Sequence, residues 1–146
     1  MSQNSIDQRN VTRNQSTVDF QHKNIFVFDN RYEEGIFKNN SGAELTTKPF
    51  KLVAREVGVV GGLIPVIAGN LADVIGISTE TTENTMAIGA TMNINYCTKG
   101  TIAEGMIGLP DGVTLDTTVG TKALRDVLEG LGFHLEKGIE NTKFDN

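Results

Sequence analysis

The sequence holds a single cysteine, Cys97, so no intrachain disulfide can form. That excludes a disulfide-stapled scaffold and is compatible with a cytoplasmic site of synthesis. Cys97 lies in a segment of alternating apolar residues, where a buried, inert thiol is expected rather than a nucleophile. Only two histidines occur, His22 and His134, and neither has His, Cys or carboxylate neighbours at ligand spacing. No metal site is expected from them. The opening residues, MSQNSIDQRNVTRNQ, lack the apolar core of a signal peptide. No stretch approaches the roughly 18 consecutive apolar residues of a membrane span, so no membrane partner is expected. Basic residues are also outnumbered, 13 Lys and Arg against 18 Asp and Glu, for a net charge of −5. That balance argues against a nucleic-acid grip built on phosphate contacts, and no basic patch interleaved with aromatics offsets it.

Catalytic signatures are equally scarce. HExxH, CxxC and the EF-hand loop are absent. Gly58, Gly61 and Gly62 do not form GxGxxG, and no Gly-Lys-Ser/Thr follows them, so they read as turn glycines. Gly76-Ile77-Ser78 lacks the second glycine of a nucleophile elbow. The carboxylates Glu33, Glu34, Glu80, Glu83, Asp111 and Asp116 fall mostly in expected loops, where solvated surface charge is the ordinary outcome. No cofactor is implied. The profile fits a binding or structural protein better than an enzyme.

What the chain does hold is one dense apolar stretch, FKLVAREVGVVGGLIPVIAGNLADVIGIS, from Phe50 to Ser78. Phe50, Leu52 and Ala54 alternate with Lys51, Val53 and Arg55, and short Val/Ile runs restart after Gly58, Gly61-Gly62 and Gly69-Asn70. This punctuation is that of β-strands. A helix here would carry interior glycines at about 1 kcal/mol each and a proline at about 3. The stretch is expected to form the core of one β-rich domain, with Leu63–Ile67 and Ala72–Ile77 as strands. The length of 146 residues suits a single domain with a real core.

Residues 1–24 are dominated by Asn, Gln, Ser and Thr, with Ile6, Val11, Val18 and Phe20 as the only large apolar residues. Such a segment cannot bury enough surface to offset its ordering entropy, and a flexible N-terminal arm is expected. A frayed terminus is the simplest reading. The sharper one is an arm that orders on a partner, with Thr12 to Phe20 adding as a strand to a sheet edge. Ile25-Phe26-Val27-Phe28 reads as a strand, followed by a turn at Asp29-Asn30-Arg31-Tyr32. Glu44–Thr47 is a short strand, Thr79–Thr85 a polar loop, and Met86–Thr98 a half-buried strand with Met92, Ile94 and Tyr96 on one face. Lys99-Gly100 reads as a turn into a strand from Thr101 to Ile107, and Asp111-Gly112 as a further turn. One helix is expected. Thr121 is its N-cap, Leu124, Val127, Leu128 and Leu131 form its apolar face, and Gly132 is its stop. Phe133–Glu136 follows as a final strand, and residues 138–146 form a polar tail. The expected class is mainly β with one short α-helix, a small β-barrel domain over 25–137 carrying an extended arm.

The order of these features resembles the lambda-type bacteriophage head decoration, or capsid cement, proteins and their small β-tulip fold. The resemblance is carried by Gly62-Leu63-Ile64-Pro65-Val66, by Ala72-Asp73-Val74-Ile75-Gly76-Ile77 and by Gly89-Ala90-Thr91-Met92-Asn93-Ile94. The Leu124-Arg125-Asp126-Val127-Leu128 helix, ending at Gly132 and leading into a strand, completes it. It spans roughly Phe37 to Leu135, and the chain departs from the family pattern in its longer portion after the last strand. The resemblance implies a homotrimer on the outer surface of a virion, bound to the major capsid protein and stabilising the shell against packaged DNA. On that reading Val11, Val18 and Phe20 belong to the capsid-binding arm, and Phe26 and Phe28 to the arm's base or the trimer interface. Two alternatives stand beside it: another virion structural module, such as a head fibre base or a tail or baseplate component, and a small ligand-binding β-barrel or enzyme.

Overall fold

The computed structural model describes residues 25–137. The arm residues Val11, Val18 and Phe20, and the tail at 138–146, lie outside the described residues. Strand outweighs helix by 49% to 15%, so the protein is mainly β as expected, and five strands close into a barrel.

Two long strands organise that barrel. β1 (Phe26–Lys38) and β7 (Thr91–Ala103) run antiparallel along nearly their whole length, from Phe26 opposite Ile102 to Lys38 opposite Thr91. β3 (Leu52–Arg55) and β4 (Gly62–Pro65) form a hairpin whose second strand lies parallel to β1, with Ile36 opposite Gly62. β5 (Val74–Ser78) pairs with β3 and then with β7, through Ile77 opposite Cys97, and closes the ring. Pro65 stands beyond the last β1–β4 pair, where its missing N–H costs no ladder bond on that side. Outside the ring, β2 (Leu45–Thr47) pairs with β6 (Asn84–Met86), and β8 (Thr118–Val119) pairs with β9 (Lys122–Ala123). Helix α1 (Leu124–Leu131) then leads into β10 (Phe133–Glu136), which joins the free edge of β7 in parallel.

The barrel wall separates two apolar cores. Phe37, Val53, Leu63, Ile94 and Tyr96 pack together with Met86 on one side. Leu52, Ala54, Ile77, Cys97 and Ile102 pack on the other, against Leu124 and Leu128 of α1 and Phe133 and Leu135 of β10. Strand β3 therefore buries both its faces, which accounts for the density of its apolar run. Where the wall is tightest, glycine is required. A Cβ on Gly76 would lie 2.5 Å from the Cys97 carbonyl oxygen and 2.7 Å from the Tyr96 ring.

Several expected boundaries move, each for a local reason. Asp29–Tyr32 is not a turn. Asp29 takes a left-handed conformation (φ 55°), the β1–β7 register shifts there, and the strand continues. Asp tolerates that conformation, and one such residue makes a bulge rather than a reversal. The Asn30 amide donates to the Thr101 carbonyl (3.1 Å), bridging the irregularity to the facing strand. Lys99-Gly100 likewise lies inside β7, where Gly100 (φ 128°) gives Asn30 room. The strand expected over Thr101–Ile107 ends at Ala103 and becomes a 3-10 turn, Glu104–Met106. The strand expected from Ala72 begins only at Val74, because Ala68–Asp73 forms a 3-10 turn. Asn70 stabilises that turn, accepting from the Ile67 N–H (2.6 Å) and donating to the Pro65 carbonyl (3.1 Å). The polar loop Thr79–Thr85 runs into β6 at Asn84. Thr121 is not the N-cap. That place falls to Ala123, with no side-chain cap, and the carbonyls of Thr117 and Leu115 accept from the Leu124 and Arg125 N–H groups instead. Gly132 ends the helix in a left-handed conformation, as its position predicts.

Candidate functional site

The described residues bring no catalytic cluster together. They contain no group of three or more His, Cys, Asp or Glu side chains able to hold a metal, and no helix among them is long and apolar enough to cross a membrane. His134 projects from β10 into solvent. The Glu33 carboxylate accepts from the Tyr96 hydroxyl (3.2 Å), Asp111 pairs with Lys48 (2.9 Å), and Asp116 lies 4.0 Å from Arg125. Cys97 is fully buried, and burial pushes its thiol pKa up.

Exposed large apolar side chains group in two places, with Ile67, Ile88 and Leu131 exposed singly elsewhere. The first is the start of β1. Ile25 is buried and accepts from the Ala103 N–H, fixing where the described chain enters the fold. Phe26 packs edge-on against Tyr32 (5.6 Å) and Phe50 (5.9 Å), on the margin of the larger core. Phe28, in contrast, is 72% exposed, with Val27 and Tyr32 exposed beside it. The two phenylalanines singled out from sequence thus separate: Phe26 is a packing residue at the point of entry, and Phe28 is a projecting one.

The second place is the loop that joins β3 to β4, Glu56-Val57-Gly58-Val59-Val60-Gly61. Val57 is 96% exposed and Val60 fully exposed, with Val59 half-exposed between them and Ile36 of β1 nearby. The loop is held, not frayed. Gly58 and Gly61 take left-handed conformations (φ 83° and 75°), and the Glu56 N–H donates to the Gly62 carbonyl (2.8 Å). The Gly61 carbonyl accepts from the Ile36 N–H (2.8 Å), tying the loop to β1. Sequence reading placed these valines in the centre of the core run. The signal that they lie outside it was present, since Gly58 and Gly61 bracket Val59 and Val60, Glu56 precedes Val57, and a hairpin tip cannot reach the core.

At the opposite end of the same hairpin lies a cleft of about 190 Å³. Leu45, Leu52, Val66, Leu109 and Pro110 line it, and exposed Ile67 forms its lip. Lys48 closes one rim, donating to the Leu109 carbonyl (2.6 Å) and pairing with Asp111. Lys51 also borders it and is buried, with its ammonium 4.7 Å above the Phe37 ring. Its Nζ has no hydrogen-bond partner among the described residues. Burial lowers its pKa from the ordinary lysine value, and the charge of Glu80 partly opposes that shift.

No protein-family model matches this sequence, and a search of curated proteins finds no matching relative. The class that fold and surface define is a small closed β-barrel domain presenting apolar side chains to solvent.

Proposed function

We propose that this protein is a capsid decoration protein, a homotrimer that binds the outer surface of a phage-type head and holds neighbouring capsomers together. The observation that carries the reading is the ordered display of apolar side chains, Val57, Val60 and Phe28, on a rigid barrel. Grouped apolar side chains exposed on a folded domain are a common sign of an interaction surface. The work on this reading is mechanical and needs no catalytic group. An arm before Ile25 adds as a strand to a capsid subunit, with Val11, Val18 and Phe20 filling pockets on alternate sides. Phe26 anchors the base of that arm against Phe50 and Tyr32, and Phe28 meets the partner. Three arms on one trimer multiply weak contacts through effective concentration, so no single interface has to be large.

The test is to mix the purified protein with undecorated heads and image the particles. Density over the threefold positions is the expected result. A clean shell overturns the reading, and density confined to a tail or vertex moves the protein to another virion station. Deletion of residues 1–20 is expected to leave folding and self-association intact while abolishing particle binding. Full binding by the truncated chain removes the arm from the mechanism.

A further inference from the structure

β1 is paired on one side along nearly its whole length, but on the other only at its far end. β7 runs beside it from Phe26 to Lys38, whereas β4 meets it only at Ile36 and Phe37. From Val27 to Glu34 no second strand lies alongside among the described residues, and every residue there except Asn30 is exposed. One edge and both faces of this half of the strand are therefore open. Such an edge is a template for another strand. It holds no proline, and it carries Val27, Phe28 and Tyr32 where a cross-strand neighbour would touch them. The chain itself names the occupant. Its first 24 residues end at the root of this edge, where the Ile25 carbonyl accepts from the Ala103 N–H (2.8 Å). Thr12 to Phe20 is nine residues long and free of proline and glycine, against eight residues from Val27 to Glu34. The charges are complementary: residues 27–34 carry three carboxylates and one arginine, and residues 1–24 three Lys and Arg against two Asp.

We infer that residues 12–20 pair antiparallel with the open edge of their own β1 in the free protein, extending the sheet by one strand. Residues 21–25 then form a five-residue hairpin connection, which sets Val18 beside Phe28 and Arg13 beside Glu33. The bulge at Asp29 interrupts the ladder, and pairing resumes along Tyr32–Glu34. So short a tether keeps the arm at high effective concentration beside its own edge, so no second copy is needed. The inference goes beyond the decoration reading and does not depend on the capsid. A capsid subunit that takes the arm does so by strand exchange, which also uncovers Phe28.

Amide hydrogen exchange of the full chain, set against the chain lacking residues 1–20, tests the contact. The N–H groups between Val27 and Glu34 that point away from β7 are expected to be protected in the full chain and to exchange about tenfold faster or more in the truncated one. Ser16→Pro puts a proline in the middle of the pairing segment and should give the truncated chain's rates, while Ser16→Thr should keep the protection. Equal rates in the full and truncated chains overturn the inference, whether both are fast or both slow; both slow would mean that another surface covers the edge. Cross-linking then tells one copy from two. The double variant Val18→Cys, Phe28→Cys, half of it isotope-labelled, is treated with a short bis-maleimide and digested. Cross-linked peptides within one isotope are expected, and mixed pairs as frequent as unmixed ones overturn the own-chain pairing. Cys97 does not interfere, being fully buried. Particle imaging separates this from the decoration reading. Protection with bare heads refutes decoration alone, and coated heads without protection refute this contact alone.

Discussion

Lys51→Met is expected to make this protein more stable. Lys51 is only 6% exposed, and its Nζ has no hydrogen-bond partner among the described residues. An unpaired polar group in a protein interior costs about 1–3 kcal/mol, more if charged. The Phe37 ring, 4.7 Å from the Nζ, returns about 0.5–2 kcal/mol as a cation–π contact. The balance is a net cost, of about 1 kcal/mol. Methionine keeps an unbranched stem of similar shape and removes the amine. A gain of about 1 kcal/mol corresponds to a Tm rise of about 2–8 °C for a domain near this size. Urea unfolding monitored by circular dichroism at pH 7 gives the stability difference directly. Lys51→Ala serves as the control and should destabilise, because it removes the stem that packs beside Phe37. A methionine variant less stable than the parent by about 1 kcal/mol or more refutes the account, since it means the ammonium contributes more than its burial costs.

The pH dependence of that difference is a second check on the same residue. Burial lowers the folded-state pKa of Lys51 below its ordinary value of 10.5. Between the lowered value and 10.5, the unfolded chain holds a proton that the folded chain lacks, so stability rises with pH through this window. Below the lowered value the penalty of charging the buried amine is present in full. The advantage of Lys51→Met is therefore greatest below the lowered value and shrinks as pH climbs from there toward 10.5. Comparing the two proteins cancels the opposite contributions of Cys97, Tyr32 and Tyr96, whose folded-state pKa values are raised. A gap that stays constant from pH 6 to 10 would mean that Lys51 is not shifted.

Two further substitutions test the frame. Gly76→Ala places a methyl 2.5 Å from the Cys97 carbonyl oxygen, in the wall where β5 meets β7, and is expected to cost about 1–3 kcal/mol or more in urea unfolding. Glu104→Gln breaks the two-pronged pair with Arg125 (2.6 and 3.3 Å) and is expected to cost about 1 kcal/mol at neutral pH. The Arg125 hydrogen bond lowers the Glu104 pKa from 4.5, so the parent's advantage is complete above that value and is lost as pH falls through the lowered one.

The mainly-β class, the helix over Leu124–Leu131 and the final strand with Phe133 and Leu135 buried were all legible, because each rests on local periodicity. The boundaries that failed share one cause. Asp29-Asn30 and Lys99-Gly100 carry turn-forming residues, and turn chemistry also builds bulges. Which of the two forms depends on whether a partner strand lies alongside, and β1 and β7 supply each other over a sequence gap that local reading does not cross. The Thr121 cap failed for a similar reason. The orphan N–H groups of α1 were met by carbonyls of a loop that only tertiary structure brings there. At the start of β1, the sequence did not separate the packed Phe26 from the exposed Phe28, because both sit in one aromatic and β-branched run.

The valine loop shows why apolar density alone misleads. Val53 and Val57 sit four residues apart in one run, yet the first is fully buried and the second almost fully exposed. What separates them is the hairpin's reach. β3 pairs with β4 only as far as Arg55 opposite Leu63, and beyond that point the chain must turn back before it has another strand to pack on. A loop placed there for folding alone would be served by polar residues, which stabilise a turn without exposing hydrocarbon. Three valines in its place expose apolar surface to water. Glycines at 58 and 61 provide the left-handed turns that hold them outward.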